Sequence, residues 1–227
     1  MRIIAILSWF NERPSWLAGS VASLAKVGVS HCVAVDGAYL LYPEGRGFSA
    51  PEQHAAIVET CRALDIGLTL HVPQEPWIGN EVEKRTAAIR LAEAFAEPNV
   101  DWYYMHDADH FVLSAMGHQQ ALKETECDVA ECRFAEDYGS LHCNAPIRVF
   151  FRAIPGLIYD GNHYTPRTPD GRDLHHGCEP ALDLGFRMEV HHRTAERDPY
   201  RKESQQVYYR RRDELGAEIH HEEAVAA

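Results

Sequence analysis

Residues 1–107 alternate short apolar segments with longer ones of helical periodicity, and no other feature restricts the fold as much. Ile3 to Phe10 is a continuous apolar run, suited to a strand covered on both faces. Pro14 opens a helix running to about Val27, with Asn11 or Ser15 placed to cap it. Strands follow at His31–Val35, Gly67–Val72 and Asp101–His106, separated by helices over 51–64 and 81–96. Such alternation gives an α/β protein: a mostly parallel central sheet flanked by helices.

The second half is less regular. A helix over 115–125 precedes strands at 128–134 and 146–153, which can pair antiparallel as a smaller part of the fold. Residues 155–178 form a polar loop, rich in Pro and Gly (PRTPDG), that is too long for a simple connector. A strand at 185–190 and a helix from about 199 to 215 complete the pattern. In that strand Phe186, Met188 and Val190 share one face, which leaves His191 on the other. With the Val190 face in the core, His191 rather than His192 is expected to turn towards a cleft.

At 227 residues, 45% hydrophobic and 25% charged, the chain has the size and composition of one large globular domain. No apolar run approaches the ~20 residues that span a bilayer. The opening MRIIAILSWFNERP carries too short an apolar run, and no small-residue cleavage site, for a signal peptide. A cytoplasmic protein is expected, with Cys32, Cys61, Cys127, Cys132, Cys143 and Cys178 as reduced thiols. The net charge of −12 argues against a general nucleic-acid surface, although Arg187, Arg193, Arg197, Arg201, Lys202 and Arg210–Arg212 form a basic stretch.

The chemistry concentrates in WYYMHDADHFVL, residues 102–113. A buried aromatic strand runs into Asp107 and Asp109, and unpaired carboxylates near an apolar core cost several kcal/mol unless they pair or hold a cation. Ligands of open α/β sheets lie beyond the carboxyl ends of the strands. Asn11 and Glu12 end the first strand there, Asp36 the second, and Asp107 and Asp109 the fourth. In extended backbone Asp107 and Asp109 project to one side, so both can approach one cation. Oxygen ligands favour Mg²⁺ or Mn²⁺ over zinc. His175-His176 near Cys178 lacks the companion spacing of a zinc site. Arg85 falls within the apolar stripe of Val82, Ala88, Ile89, Ala92, Phe95 and Ala96, and so requires an anion at the same edge.

The order of these motifs resembles the GT-A glycosyltransferases, in particular family 2 enzymes that use nucleotide-sugars. A strand ends in N-E, an Asp closes the second strand, G-N-x(4)-R opens a helix at Gly79, and a strand ends in D-x-D. R-V-F-F-R at 148–152 and Y-D-G-N-H-Y at 159–164 continue the likeness, which spans residues 1–213. It implies a single GT-A domain with a nucleotide-binding half over 1–113 and an acceptor half over 114–213, followed by a frayed tail over 214–227. The implied activity is metal-dependent, inverting transfer of a sugar from a nucleotide-diphosphate sugar, a UDP-sugar first, to an acceptor hydroxyl. Asp36 would contact the base or ribose, with Asn11, Glu12 and Arg85 beside the nucleotide. Asp107 and Asp109 would stand at the metal and diphosphate, with His191 or His192 completing the Mn²⁺ or Mg²⁺ shell. Arg201 and Lys202 are placed to contact phosphate as the loop over 155–178 and the last helix close over the donor. The general base falls to Asp137, Glu136 or His163, with Asp137 taken first; the family's H-E pair is His163-Tyr164 here, so no carboxylate carries over at that position.

Two other classes share this layered architecture: a non-catalytic nucleotide- or sugar-binding protein, and a nucleotidyltransferase. The second begins with a Gly-rich loop after the first strand, and SWFNERP contains no glycine. No P-loop signature is present either. The acceptor remains open among a saccharide, a lipid-linked sugar, a protein and a modified nucleic acid.

Overall fold

The computed structural model describes residues 1–43, 47–78, 81–138, 141–160, 165–175, 180–193 and 196–225; the side chains of 136–138, 141–145, 165, 212 and 215–225 lie outside the description. The elements in order are β1 (Ile3–Ser8), α1 (Pro14–Ser23), β2 (His31–Val35), α2 (Pro51–Ala63), β3 (Gly67–His71), α3 (Val82–Glu93) and β4 (Trp102–Asp107). Then come β5 (His110–Ala115), α4 (His118–Glu124), β6 (Val129–Tyr138), β7 (Leu141–Arg152), β8 (Ile158–Asp160), β9 (Thr165–Arg167), β10 (Ala181–Asp183), β11 (Met188–His192) and α5 (Pro199–Val225).

The first half follows the sequence pattern closely, because each strand feeds two cores. Ile3, Ala5 and Leu7 of β1 pack with Leu17, Val21 and Ile57 of α1 and α2. Ile4 and Ile6 point the other way, onto Ala88, Ile89 and Ala92 of α3. Strand β4 does the same with Trp102 and Tyr104 against Tyr103 and Met105. Strands β3, β2, β1 and β4 run parallel. Helix α1 starts at Pro14 after Arg13, without a side-chain cap, so neither Asn11 nor Ser15 plays that part. Asn11 instead turns the chain with φ +53°.

The sheet order is β3-β2-β1-β4-β7-β6-β11-β5, with β10 added to β6 and a separate β8–β9 hairpin. It is an α/β fold with a mostly parallel central sheet and a smaller antiparallel part, as expected. Strands β6 and β7 do pair antiparallel. Four strands were hidden from the sequence pattern: β8 and β9 lie within 155–178, expected as a polar loop, β10 just after it, and β5 begins only a two-residue turn after β4, yet sits four places away at the edge of the sheet order. The sheet therefore curls until its far edge returns to the end of β4, and a cleft forms where the curl closes.

Three local expectations change. Strand β6 runs through Glu136 and Asp137 to Tyr138, so those acids lie within the β6–β7 hairpin rather than after a strand. Residues 185–187 form a 3-10 turn, not the start of a strand, and Phe186 is 86% exposed instead of sharing a face with Met188. Helix α5 continues to Val225, through most of the stretch expected to fray.

Candidate functional site

A cavity of about 570 Å³ opens at the carboxyl ends of the parallel strands. Trp9 and Phe10 reach it from the end of β1, and Tyr39 and Tyr42 from the loop after β2. Glu81, Lys84 and Arg85 come from the start of α3, Asp107 and Asp109 from the end of β4, and His192 from the end of β11. Arg197, just before α5, and Arg201, Lys202 and Tyr209, on α5, close it. Strands β1 and β4 are buried in all but their last residue, so their ends hold the acids on a rigid frame.

The turn over Ala108–Asp109 separates the two aspartates. Asp107, a third exposed, takes both carboxylate oxygens to Arg85 Nη2 at 3.2 Å. Arg85 also meets Glu81 one turn back, which enters α3 with φ +77°. Burial works against the Asp107 charge, but the guanidinium outweighs it and holds the carboxyl below its ordinary range. Asp109 is 3% exposed; its Oδ2 accepts from His192 Nε2 at 3.0 Å and pairs with Arg197 Nη1 at 3.2 Å. There too burial opposes ionisation and is overcome, by Arg197 and His192, so Asp109 sits well below the usual carboxylate range.

Asp109, His110 and His192 bring ligand atoms within 4.8 Å of one another. Among the described residues this is the group of three or more such side chains with the spacing of a cation site; Asp107, expected beside Asp109, is not part of it. One carboxylate and two imidazoles can serve as ligands to a divalent cation, without selecting which. His110 is the weaker member: its Nδ1 accepts the Asp107 backbone N–H at 3.1 Å, which leaves the proton on Nε2 of the neutral ring. Burial keeps that ring neutral by lowering its pKa.

The histidine pair resolves in favour of His192. Val190 is in the core, but β11 ends at the cleft, so the core-facing side of the strand continues into the site. His191 lines a different cavity, with Phe111, Arg193 and Glu196 on the α1 side. Glu12 is buried 3.0 Å from Arg197 Nη2 and 3.4 Å from Arg201 Nε. Arg201 also donates to the Tyr42 hydroxyl at 2.7 Å and lies over its ring.

Asp36 stands apart. Its carboxylate accepts from Gly37 N, Ser49 N, Ser49 Oγ and His54 Nε2, all at 2.6–2.7 Å, and does not line the cavity. It fastens the loop after β2, where Gly37 has φ +117° and any Cβ would lie 2.5 Å from Pro73 Cγ. Asn11 likewise joins that loop, donating its backbone N–H to Ser49 Oγ. Within the described part of 155–178, Tyr159 approaches the site, its ring 5.8 Å from the Arg85 guanidinium, but none of that part lines the cavity. His163, and the side chains of Glu136 and Asp137, fall outside the described residues. The backbone register does set position 136 beside His192.

Two residues at the cavity were missed. Lys84 is buried on α3 and donates to the carbonyls of Trp9 at 2.7 Å and Gly37 at 2.9 Å, tying the ends of β1 and β2 together. Burial lowers its pKa to about 7. The row Lys84–Ala88–Ala92, at i, i+4, i+8, was the available signal. Arg197 was read only as part of a basic stretch; nothing in its local sequence marks it.

The site is thus an arginine-lined, partly aromatic cavity with a paired-carboxylate floor, in the place where open α/β sheets take their ligands. No protein-family model matches the chain, and no curated protein matches it. Among solved structures, it is similar to S. aureus TarS residues 1–349 at 18% identity and TM-score 0.44, over 62% of this chain and 38% of that one. A longer S. aureus TarS structure matches at 19% identity and TM-score 0.43, over 62% and 23% of the two chains. TarS 1–349 in complex with UDP gives 18% identity, TM-score 0.44, and coverage of 62% and 38%. The match spans well under half of those chains.

Proposed function

We propose that the protein transfers a sugar from a nucleoside-diphosphate sugar, a UDP-sugar first, to an acceptor hydroxyl, with inversion. One observation carries this reading. Arg85, Arg197, Arg201 and Lys202 converge with Asp107, Asp109 and His192 on a cavity that also has an aromatic wall of Phe10, Tyr39, Tyr42 and Tyr209. Guanidinium groups suit a diphosphate, and aromatic faces suit a nucleobase or sugar ring. At about 570 Å³ the space matches a small-molecule site.

Asp109 and His192 would hold a Mn²⁺ or Mg²⁺ ion, which when bound supplies Lewis-acid neutralisation of the leaving diphosphate. The chain's own groups do the remainder. Arg85 is pre-positioned by Asp107 and Glu81, so binding an anion costs it little reorganisation. Arg201 and Lys202 contribute further positive charge from α5 and shield the diphosphate from water. A base must take the acceptor proton. Of Glu136, Asp137 and His163, we take Glu136, whose register position adjoins His192. Asp36 acts through the loop it fastens rather than through the base.

The test is calorimetry with UDP, GDP, TDP and their sugars, with Mn²⁺ and with EDTA, alongside detection of released nucleoside diphosphate. Affinities all weaker than about 1 mM would remove the donor site. Tight binding without any release, across a panel of saccharide acceptors, would favour a binding protein instead.

A further inference from the structure

Glu12 and Asp109 arrive from different strands and are 3% exposed each, yet a single guanidinium serves both. Arg197, itself nine-tenths buried, places Nη2 at 3.0 Å from Glu12 Oε1 and Nη1 at 3.2 Å from Asp109 Oδ2. The distances are those of ion pairs, but the directions are poor. Glu12 Oε1, Arg197 Nε and Arg201 Nε are buried and find no hydrogen-bond partner among the described residues. Buried polar atoms in that state are uncommon and call for an explanation. One planar guanidinium bridges the two acids, and Glu12 Oε1 is left without a well-directed hydrogen bond.

We propose that Arg197 is an internal placeholder for a divalent cation: guanidinium and cation are alternative occupants of the space between Glu12 and Asp109, and cation binding frees Arg197. Asp109 Oδ2 already carries both His192 and Arg197, so a cation taking Asp109 and His192 as ligands meets the guanidinium head-on. Two cations that close repel, and the weaker-bound one leaves. Once displaced, Arg197 and the neighbouring Arg201 present their unsatisfied N–H groups to the cavity, where an anionic ligand satisfies them. Cation and anion then bind in sequence, with residues 196–202 changing partners between them.

This uses the cation of the transfer reading, but its test needs only the metal. Free Mn²⁺ is followed by its electron spin resonance signal during titration of wild-type protein, Arg197→Met and Arg197→Met/Asp109→Asn, without nucleotide. Removing the competitor should tighten Mn²⁺ binding by at least about tenfold, and adding Asp109→Asn should abolish the gain. Equal or weaker binding in folded Arg197→Met, or no binding in either protein, overturns the proposal. Should that variant fail to fold, amide exchange in wild type decides: residues 196–202 should exchange faster with Mn²⁺ than without, and unchanged or slower exchange overturns it. A protein that shows this competition but binds no nucleotide-sugar would sink the transfer reading and leave the competition standing.

Discussion

Arg85 holds Asp107 with one nitrogen, Nη2, 3.2 Å from each carboxylate oxygen, and so joins the first turn of α3 to the end of β4. The pair is a structural tie and, in the proposed function, half of an anion site, and substitution separates the two roles. Arg85→Met leaves Asp107 and Glu81 without their cation. A stability loss of about 1–2 kcal/mol is expected, less than for a fully buried pair because Asp107 is a third exposed. Asp107 contributes stability above its unfolded pKa of 3.8 that is lost as pH falls through its lower folded value, and the variant loses that contribution. Urea denaturation measures the first effect and nucleoside-diphosphate calorimetry the second. An unchanged nucleotide affinity would leave Arg85 a structural residue only.

Lys84 makes a prediction at the alkaline end. Its pKa is about 7 folded against 10.5 unfolded, so the folded state favours the neutral amine. The resulting stability is greatest at high pH and is lost as pH falls from 10.5 towards 7, after which it is flat. Between pH 9.5 and 7 wild type should lose up to about 1.4 kcal/mol per unit from this group. Lys84→Met should lack that slope. It should also be less stable by about 1–3 kcal/mol at pH 7, because the carbonyls of Trp9 and Gly37 lose their donor.

Acid should act first through His106. The ring is buried against Ser20 Oγ at 2.8 Å, and burial lowers its pKa from 6.5 to about 3. A histidine kept neutral by folding contributes stability above pH 6.5 that is lost as pH falls towards 3. Urea midpoints should therefore decline from about pH 6.5 downward, before most carboxylates titrate, with a slope of up to about 1.4 kcal/mol per unit. His106→Gln should lessen the decline between pH 6.5 and 5, leaving the part due to His31, His110 and His118, whose pKa values burial also lowers. A midpoint that holds constant to pH 5 in wild type would contradict the neutral buried ring.

The adjacent histidines should behave unalike. His192→Ala removes the Asp109 partner in the cavity and should cost Mn²⁺ affinity at least about tenfold. His191→Ala, in the other cavity, should leave it within about twofold. Equal losses from the two would put the cation elsewhere.

What the sequence shows of this protein is what local chemistry determines. Residues 3–7 and 102–105 are apolar throughout because both faces are covered, so the strands and their acidic ends were readable. Strand β5 was not, since HFVLSA follows the aspartates without a break and its partner lies in β11. Alternation in GFRMEV suggested a strand that geometry begins only at Met188, which misplaced Phe186 and left the choice between His191 and His192 to the curl of the sheet. Arg197 and Lys84 were opaque for a related reason: their partners are 88 and 185, and 47 and 75, residues away.

The position of β5 has a consequence for the order of assembly. Its strand neighbour in the sheet is β11, which enters the chain more than seventy residues later. Until β11 inserts between β6 and β5, the latter has no strand to pair with, and Asp109 has no His192. Closing so long a loop is entropically slow. The half built on β1 to β4 can gather its strands early, but the cavity is complete only when the last strand docks, so occupancy of that cavity would be a gauge of complete folding in this protein.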